Sequence, residues 1–293
     1  MRRRAGGRDL GLTLRMLLAL VLLAAFYAGI GAGVLAIFWW QPGWLAYGLV
    51  VCLVAIFAAL AHYHGSESLV LRSARARRSR TATSEPRLQR QLERLAELAD
   101  LPVPRLAVVD TETPNAFTVG LTPSRAVVAV TSGLSRVLSE RELEAVLAHE
   151  LTHIANRDAS VLTVVAFPRT LGLTLIADES LAGLVLWIVW PLGLPLWALG
   201  TLLTLTVSRY REYAADRGSA LLTGAPEQLM SALQKLSDGH IPSGDLRLQG
   251  AAEAFCIVPV RTPRFELFMD HPPLEKRLAA LEQLARTIGK PAY

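Results

Sequence analysis

Residues 147–158 read LAHELTHIANRD, and they set His149, Glu150 and His153 on one predicted helix. Side chains four residues apart on a helix share a face, about 5–6 Å apart at Cβ. Two imidazoles at that spacing can bind one zinc ion at about 2.0–2.1 Å, and Glu150 can take a proton from a water that the zinc activates. The five-residue pattern is only moderately specific, because three polar residues can share a helix by chance.

A third ligand is needed to decide between these two interpretations. A catalytic zinc site of this kind uses three protein ligands and keeps one position open for water. Residues 208–220 read SRYREYAADRGSA, where Glu212 supplies a carboxylate on a predicted helix. Asp216, one turn later on the same face, can accept the free N–H of a ligating histidine and fix its tautomer. Taken alone, these residues are equally consistent with surface charges on a solvated helix.

The composition favours a membrane protein. Of the 293 residues, 52% are hydrophobic and 19% are charged, whereas a soluble domain carries about 25% charged residues. The net charge of +5 is compatible with nucleic-acid binding. However, the basic residues lie beside apolar segments and lack interleaved aromatics, so we predict no nucleic-acid partner. Cys52 and Cys256 have no CxxC partner, which argues against a disulfide framework and a cysteine zinc site.

Two apolar segments precede the HELTH motif. Residues 16–40 contain no Lys, Arg, Asp or Glu, which is enough helix to cross a bilayer of about 30 Å. We interpret them as an uncleaved span, because no small-residue cleavage site follows a short apolar core. Residues 44–61 return after a Gln-Pro-Gly turn. Arginines before the first span and within residues 72–80 place both ends of this hairpin in the cytoplasm.

Two further spans, at residues 161–177 and 181–207, are predicted between HELTH and Glu212. Arg169 weakens the first of them, because a charge near the centre of a span is costly unless it pairs or reaches the interface. If His153 and Glu212 bind one metal, they lie on the same side of the membrane. The chain between them must then cross an even number of times, with a re-entrant loop as the alternative.

The polar segment ahead of HELTH predicts mixed α/β structure. Leucines recur at helical spacing in residues 88–98, behind a Ser-Glu-Pro start. RLAVVD and RAVVAVT predict two short strands joined by the turn-rich TETPNAFTVGLTPS. Ser139 and Glu142 form a capping box that opens the HELTH helix. Three apolar side chains supply the core face of that helix: Leu143, Val146 and Leu147.

Five stretches together resemble the HtpX-type membrane zinc metallopeptidases, relatives of the CAAX prenyl endopeptidases. They are NAF at residues 115–117, VAVTSGL, HELTHIANRD, SRYREYAAD and HPPLEKRL, and the resemblance covers nearly the whole chain. It implies a zinc metalloendopeptidase with one zinc ion held by His149, His153 and Glu212, and with Glu150 as general base. It also implies a cytoplasm-facing site that cleaves membrane or misfolded proteins in quality control and stress response.

The expected fold is therefore a predominantly α-helical integral membrane protein with a zincin-like α+β catalytic domain. About four transmembrane helices and a small β-sheet complete it. Four segments follow along the chain. They are an N-terminal transmembrane hairpin (1–65), the first part of the cytoplasmic catalytic domain with the zinc helix (66–158), a second hairpin (159–207) and the second catalytic part with the third ligand (208–293).

The resemblance also suggests roles around the zinc. His271 resembles an oxyanion stabiliser, the alternative being an N-cap before proline. Asn115 and Phe117 resemble an edge strand that binds extended peptide through main-chain hydrogen bonds, the alternative being an ordinary turn. We place Arg277 with the substrate-binding residues, although it can equally pair with a carboxylate or be solvated. Asp158 is expected to cap or orient the end of the HELTH helix.

Competing functions make different demands on the sequence. A site-2-type intramembrane protease requires HExxH inside a hydrophobic span, and SERELEAVLAHE is too charged for that. A prenyl-protein protease requires more spans than this chain supplies. A non-proteolytic membrane scaffold or holdase with a vestigial metal site is the alternative from another class, and the retained Glu150 argues against it. We expect a multi-pass cell (inner or plasma) membrane protein with cytoplasmic termini and active site, whose partners are protein or peptide substrates and the lipid bilayer.

Overall fold

The computed structural model describes residues 85–177, 190–238 and 271–289, with Arg77–Arg78, Met269 and isolated positions between 14 and 57. The predicted spans at 16–40 and 44–61 lie almost wholly outside these residues, as do the first nine residues of the predicted span at 181–207. The described positions belong to two compact units. One comprises Met1–Asp9, Glu67–Val161 and Ser208–Tyr293, and the other comprises Leu10–Ser66 and Leu162–Val207. The predicted domain boundaries stay a prediction.

A four-stranded mixed sheet lies in the first unit, with the strand order β1-β2-β4-β3. Strand β1 (Arg77–Arg78) is antiparallel to β2 (Arg105–Val109), β2 is parallel to β4 (Val127–Thr131), and β3 (Ala116–Val119) is antiparallel to β4. The two strands expected from RLAVVD and RAVVAVT are confirmed. Of the two interpretations of the segment between them, the edge strand implied by the resemblance is present as β3 and the turn was wrong there, because Phe, Thr and Val favour a pleated, buried strand.

Seven helices have described bounds. They are α1 (Pro86–Leu98), α2 (Ser132–Val137), α3 (Glu140–Ala155), α4 (Asp158–Ala177), α5 (Trp190–Thr223), α6 (Pro226–Asp238) and α7 (Leu274–Thr287). Helix α1 begins with proline at its first position, as predicted. Helix α3 begins with the predicted capping box, because Ser139 Oγ accepts from the Glu142 N–H and Glu142 Oε2 accepts from the Ser139 N–H.

The described part of the predicted second hairpin is helical. Helix α4 contains the span predicted at residues 161–177, and α5 contains residues 190–207 of the other. Each carries an internal proline, Pro168 in α4 and Pro195 in α5. Within the described residues, no helix combines the length and the apolar composition needed to cross a membrane.

Helix α3 is the centre of the first unit. Its predicted core face is confirmed, because Leu143, Val146 and Leu147 are all buried. These side chains join a core cluster that extends to α1, β4 and α6. Burying one leucine side chain stabilises the fold by about 1.5–3 kcal/mol. The helix that carries HELTH is therefore held by apolar contacts on several sides, and this packing also fixes the positions of its polar residues.

Helix α5 approaches α3 at a glycine. A Cβ added at Gly218 would lie 2.3 Å from Thr152 Cγ2 and 2.5 Å from Thr152 Oγ1, so a larger residue fits only if the Thr152 side chain or one of the helices shifts. One residue on, Ser219 Oγ donates to the Ala145 carbonyl at 2.7 Å. This close approach sets Glu212, less than two turns before Gly218, against the HELTH face of α3.

Glu142 ties the start of α3 to α6. Its buried carboxylate accepts from Ser231 Oγ at 2.6 Å and from Lys235 Nζ at 2.8 Å. Burial by itself raises the pKa of Glu142, but the hydrogen bonds from Lys235, Ser231 and Ser139 outweigh it and lower the pKa to about 2. The carboxylate therefore stabilises the fold in its charged form.

Glu142→Gln is expected to lower the free energy of unfolding by about 1–3 kcal/mol at pH 7. Because the folded pKa of about 2 lies below the ordinary 4.5, the difference from wild type is complete above pH 4.5 and shrinks as pH falls toward 2. Denaturant unfolding of the full chain, with chelator present throughout, measures it. Glu140→Gln is the matched control, because that carboxylate is exposed and paired with Arg87. A difference that does not change with pH would contradict this account.

Candidate metal centre

Two histidines of α3 face each other through the same nitrogen. The Nε2 atoms of His149 and His153 lie 3.1 Å apart, with the two rings nearly perpendicular at 88°. His149 is fully buried and His153 is 9% exposed. This is the i, i+4 geometry expected from HELTH on a helix.

Helix α5 brings a carboxylate to the same point. Glu212 Oε2 lies 3.5 Å from His149 Nε2, and Glu212 Oε1 lies 3.5 Å from His153 Nε2. One ligand atom from each of the three residues lies within 4.8 Å of the others. The three side chains predicted as metal ligands are thus brought together from two helices, across a sequence separation that includes α4.

The other nitrogen of each histidine is held by an aspartate. His149 Nδ1 lies 3.0 Å from Asp216 Oδ1, and His153 Nδ1 lies 2.6 Å from Asp158 Oδ2. A carboxylate only accepts, so these close contacts assign the proton of each neutral imidazole to Nδ1. Both Nε2 atoms are then lone-pair acceptors directed at each other and at Glu212. Three atoms that converge with free lone pairs and no proton between them can serve together as the ligands of a cation.

The charge of the buried centre also fits a divalent ion. Four carboxylates are almost fully buried here, and two guanidinium groups accompany them; they are Glu150, Asp158, Glu212, Asp216, Arg211 and Arg277. With neutral histidines this set carries two negative charges in excess. Buried charge without compensation is costly, and one divalent cation at the Nε2 atoms balances it. The residues present therefore fit a metal ion on both geometry and charge.

Arg277 fixes the aspartate behind His149. It donates to Asp216 through Nε at 2.8 Å and Nη2 at 2.6 Å, and its Nη1 lies 3.4 Å from Glu212 Oε2. Burial raises the pKa of Asp216, but Arg277 and His149 lower it below its ordinary value. Arg277 itself is 3% exposed. Of the interpretations open to it from sequence, pairing with a carboxylate is present and solvation was wrong, while contact with substrate stays a prediction.

A second aspartate–arginine pair stands behind His153. Arg211 Nε lies 3.2 Å from Asp158 Oδ2, and both side chains are buried. Asp158, expected to cap or orient the end of the helix, is placed so that it orients His153. The position of Arg211 next to Glu212 allowed a role behind the metal ligands without deciding it, and the contact with Asp158 shows which carboxylate it pairs with.

The carboxylates around His149 favour positive charge at that site. Burial lowers the pKa of His149, but Asp216 and Glu212 outweigh it and raise the pKa to about 9. Burial raises the pKa of Glu212, while His271, His149 and Arg277 hold it well below its usual range. A proton and a metal ion therefore compete for the His149 imidazole, and metal binding strengthens as pH rises.

His271 lies beside the third ligand. Its Nδ1 is 3.4 Å from Glu212 Oε2, its side chain is 3% exposed, and neither ring nitrogen has a hydrogen-bond partner among the described residues. The N-cap of α7 is Pro273. The alternative interpretation of His271 as the N-cap was therefore wrong, and its buried ring is directed to the metal centre instead.

The predicted substrate strand lies next to α3. Asn115 precedes β3 and Phe117 lies within it; both side chains are buried. Among the described strands, β3 pairs only with β4 and so forms the edge of the sheet. A neighbouring residue that was not predicted also reaches the site: Thr118 Oγ1 donates to Glu150 Oε2 at 2.7 Å. Strand alternation was the signal that could have found it, because Thr118 points to the face opposite Phe117.

Two histidines and a glutamate from two helices, with a further glutamate beside the first histidine, are the arrangement of a metallopeptidase. The sequence model of Peptidase family M48 matches residues 82–285, and the chain belongs to this family.

Curated relatives are similar to this chain over almost its full length. The chain is 44% identical to a protease HtpX homolog of Moorella thermoacetica, over 96% of this chain and 97% of that protein. It is 38% identical to protease HtpX homolog 2 of Methanosarcina acetivorans, over 96% and 98%. The HtpX-type resemblance seen in the motifs is confirmed. Among solved structures, S. mikatae Ste24p matches with a TM-score of 0.49 and 21% identity, over 92% of this chain and 66% of that one.

Asp216→Ala is expected to weaken Zn²⁺ binding about 10–100-fold, because it removes the acceptor of His149 Nδ1 and the main partner of Arg277. Asp216→Asn keeps an acceptor oxygen and should lose less. Competition with a metal-chelating dye at fixed pH measures the dissociation constant. Glu112→Ala is the matched control, because Glu112 also pairs with an arginine, Arg136 at 2.8 Å, but is exposed. Unchanged affinity in Asp216→Ala would contradict the orienting role.

Proposed function

We propose that this M48 metalloprotease is a zinc-dependent endopeptidase, anchored in the cell membrane, that hydrolyses peptide bonds of membrane or misfolded proteins at the cytoplasmic face. One zinc ion per chain is held by His149, His153 and Glu212. The observation that carries the proposal is the convergence of three buried acceptor groups within 4.8 Å.

The donor set favours zinc among the divalent metals. Two imidazole nitrogens and one carboxylate oxygen suit zinc and leave one position open for water or substrate, whereas calcium and magnesium favour all-oxygen sites. Zinc in such a site polarises a substrate carbonyl and makes a bound water more acidic. The aspartates behind both histidines keep the imidazoles in the ligating tautomer.

Glu150 is proposed as the general base. It follows His149 in α3 and is 1% exposed, with Oε1 buried and without a hydrogen-bond partner among the described residues. That oxygen can accept the proton of the attacking water and then deliver it to the leaving amine. A positioned acid–base group of this kind contributes about 10²–10⁴-fold to rate.

His271 is proposed to stabilise the negative charge that develops on the carbonyl oxygen. Its buried ring lies beside Glu212, with Nδ1 3.4 Å from Glu212 Oε2, and its Nε2 has no hydrogen-bond partner among the described residues. A hydrogen-bond donor already held in place costs no reorganisation during the reaction and is worth about 2.7–4 kcal/mol. His271 thus complements Glu150 at the opposite end of the scissile bond.

The edge strand β3 is proposed to bind the substrate as an added antiparallel or parallel strand. Main-chain hydrogen bonds at a sheet edge recognise extended backbone rather than particular side chains. This supports cleavage of unfolded or misfolded segments with broad sequence preference. The buried side chains of Asn115 and Phe117 hold the strand in place. Arg277 stabilises the metal centre through Asp216.

The membrane anchor is supported by the sequence. Residues 16–40 and 44–61 are uncharged or nearly so and are flanked by arginines on the side assigned to the cytoplasm. If the chain between His153 and Glu212 crosses an even number of times, as a shared metal ion requires, both termini and the metal centre lie on that side; a re-entrant loop is the alternative. The lipid bilayer and protein substrates are then the partners of the chain.

The test is metal-dependent proteolysis by the purified full chain in detergent. Wild type should bind one zinc per chain and cleave an unfolded model protein, and a chelator should abolish cleavage. Glu150→Ala should retain the zinc, measured by plasma emission spectrometry, and lose about 10²–10⁴-fold in kcat. Glu140→Ala is the matched control on the same helix, because its carboxylate is exposed.

Three outcomes would contradict the proposal: no zinc in wild type, no cleavage by wild type, or equal cleavage by Glu150→Ala. Retention of unfolded protein without cleavage would instead favour the scaffold or holdase alternative.

A further inference from the structure

Thr118 connects the sheet edge to the proposed general base. Its Oγ1 lies 2.7 Å from Glu150 Oε2 and 3.4 Å from the Glu150 carbonyl oxygen. Its side chain is buried, at 7% exposed. Because a hydroxyl carries one proton, it donates to one acceptor at a time, and the short contact with the charged oxygen is the stronger.

The two oxygens of Glu150 are therefore unequal. Oε2 accepts from Thr118, while Oε1 is buried and has no hydrogen-bond partner among the described residues. A carboxylate with no such contact can rotate and present either oxygen. With one oxygen held by a side chain from a strand, rotation is opposed and Oε1 becomes the oxygen available for proton transfer.

We propose that Thr118 is a positioning residue for Glu150, holding Oε2 so that Oε1 is the proton-accepting atom. This inference rests on the proposed function of Glu150. The Thr118 hydroxyl keeps its own proton throughout the reaction. The proton that leaves the attacking water moves to Glu150 Oε1 and from there to the leaving amine, while Oε2 continues to accept from Thr118.

The position of Thr118 also couples the base to the substrate strand. Thr118 belongs to β3, the edge strand that is proposed to pair with substrate, and its side chain points away from the face of Phe117 and Val119. A peptide bound along β3 would restrict the strand that holds the base. Because the Thr118 hydroxyl contacts Glu150, whereas substrate would pair with the main chain of β3, loss of that hydroxyl should affect the chemical step more than substrate binding.

Two substitutions separate the hydroxyl from the shape of the residue. Thr118→Val keeps the β-branched outline and removes the hydroxyl, whereas Thr118→Ser keeps the hydroxyl and removes a methyl group. A positioning role predicts that Thr118→Val lowers kcat about 10–100-fold with KM within about twofold. It also predicts that Thr118→Ser stays within about threefold of wild type. A packing role predicts the opposite order.

A second readout is independent of turnover. Infrared spectra of the chelator-treated protein, with ¹³C-labelled glutamate and Glu150→Gln as the assignment reference, report the hydrogen bonding of the Glu150 carboxylate. The band should shift in Thr118→Val and remain in place in Thr118→Ser. Zinc content and the thermal midpoint should be unchanged in both. If Thr118→Val lowers the thermal midpoint, Thr118→Ala provides the second hydroxyl-free variant.

Wild-type cleavage by Thr118→Val and Thr118→Ala would overturn the inference, as would a loss in Thr118→Ser equal to that in Thr118→Val. In either case wild type still cleaves in a zinc-dependent manner, so the proposed function is unaffected. Absence of zinc-dependent cleavage by wild type would instead overturn the proposed function itself.

Discussion

The close contacts of the two histidine Nδ1 atoms with buried aspartates are the constraint on which the rest of the centre depends. Asp216 and Asp158 fix the proton of each neutral imidazole on Nδ1 and leave both Nε2 atoms with free lone pairs. Each aspartate is in turn paired with a buried arginine. A cation bound by the two Nε2 atoms and Glu212 would use these lone pairs and balance the buried negative charge.

This electrostatic arrangement needs two helices in close contact. Gly218 allows α5 to approach Thr152 of α3, and Ser219 donates a hydrogen bond to the α3 backbone. The same approach brings Glu212 to the histidines. Helix α3 is held on its other sides by leucines of the core and by the buried contacts of Glu142 with α6. Metal geometry and core packing therefore depend on the same helix.

Local chemistry made much of this predictable from sequence. HELTH at helical spacing, Ser139 with Glu142, and the strands around β4 follow from short-range rules that the structure bears out. Contacts between segments far apart in the sequence were harder to predict. Thr118 and Arg211 reach the centre through tertiary packing, and the pairing of Arg277 with Asp216 joins residues 61 positions apart. The residues of β3 alone left a strand and a turn open, because the flanking Pro, Asn and Gly residues indicate turns, whereas burial in the folded chain decides the strand.

X-ray absorption at the zinc edge of the purified, zinc-loaded full chain tests the central claim most directly. The account predicts a nitrogen and oxygen shell with the multiple-scattering pattern of two imidazoles, and a changed carboxylate contribution in Glu212→Gln. Sulfur scatterers, a single imidazole or a spectrum unaffected by Glu212→Gln would contradict it, because the three converging side chains would then not be the ligands.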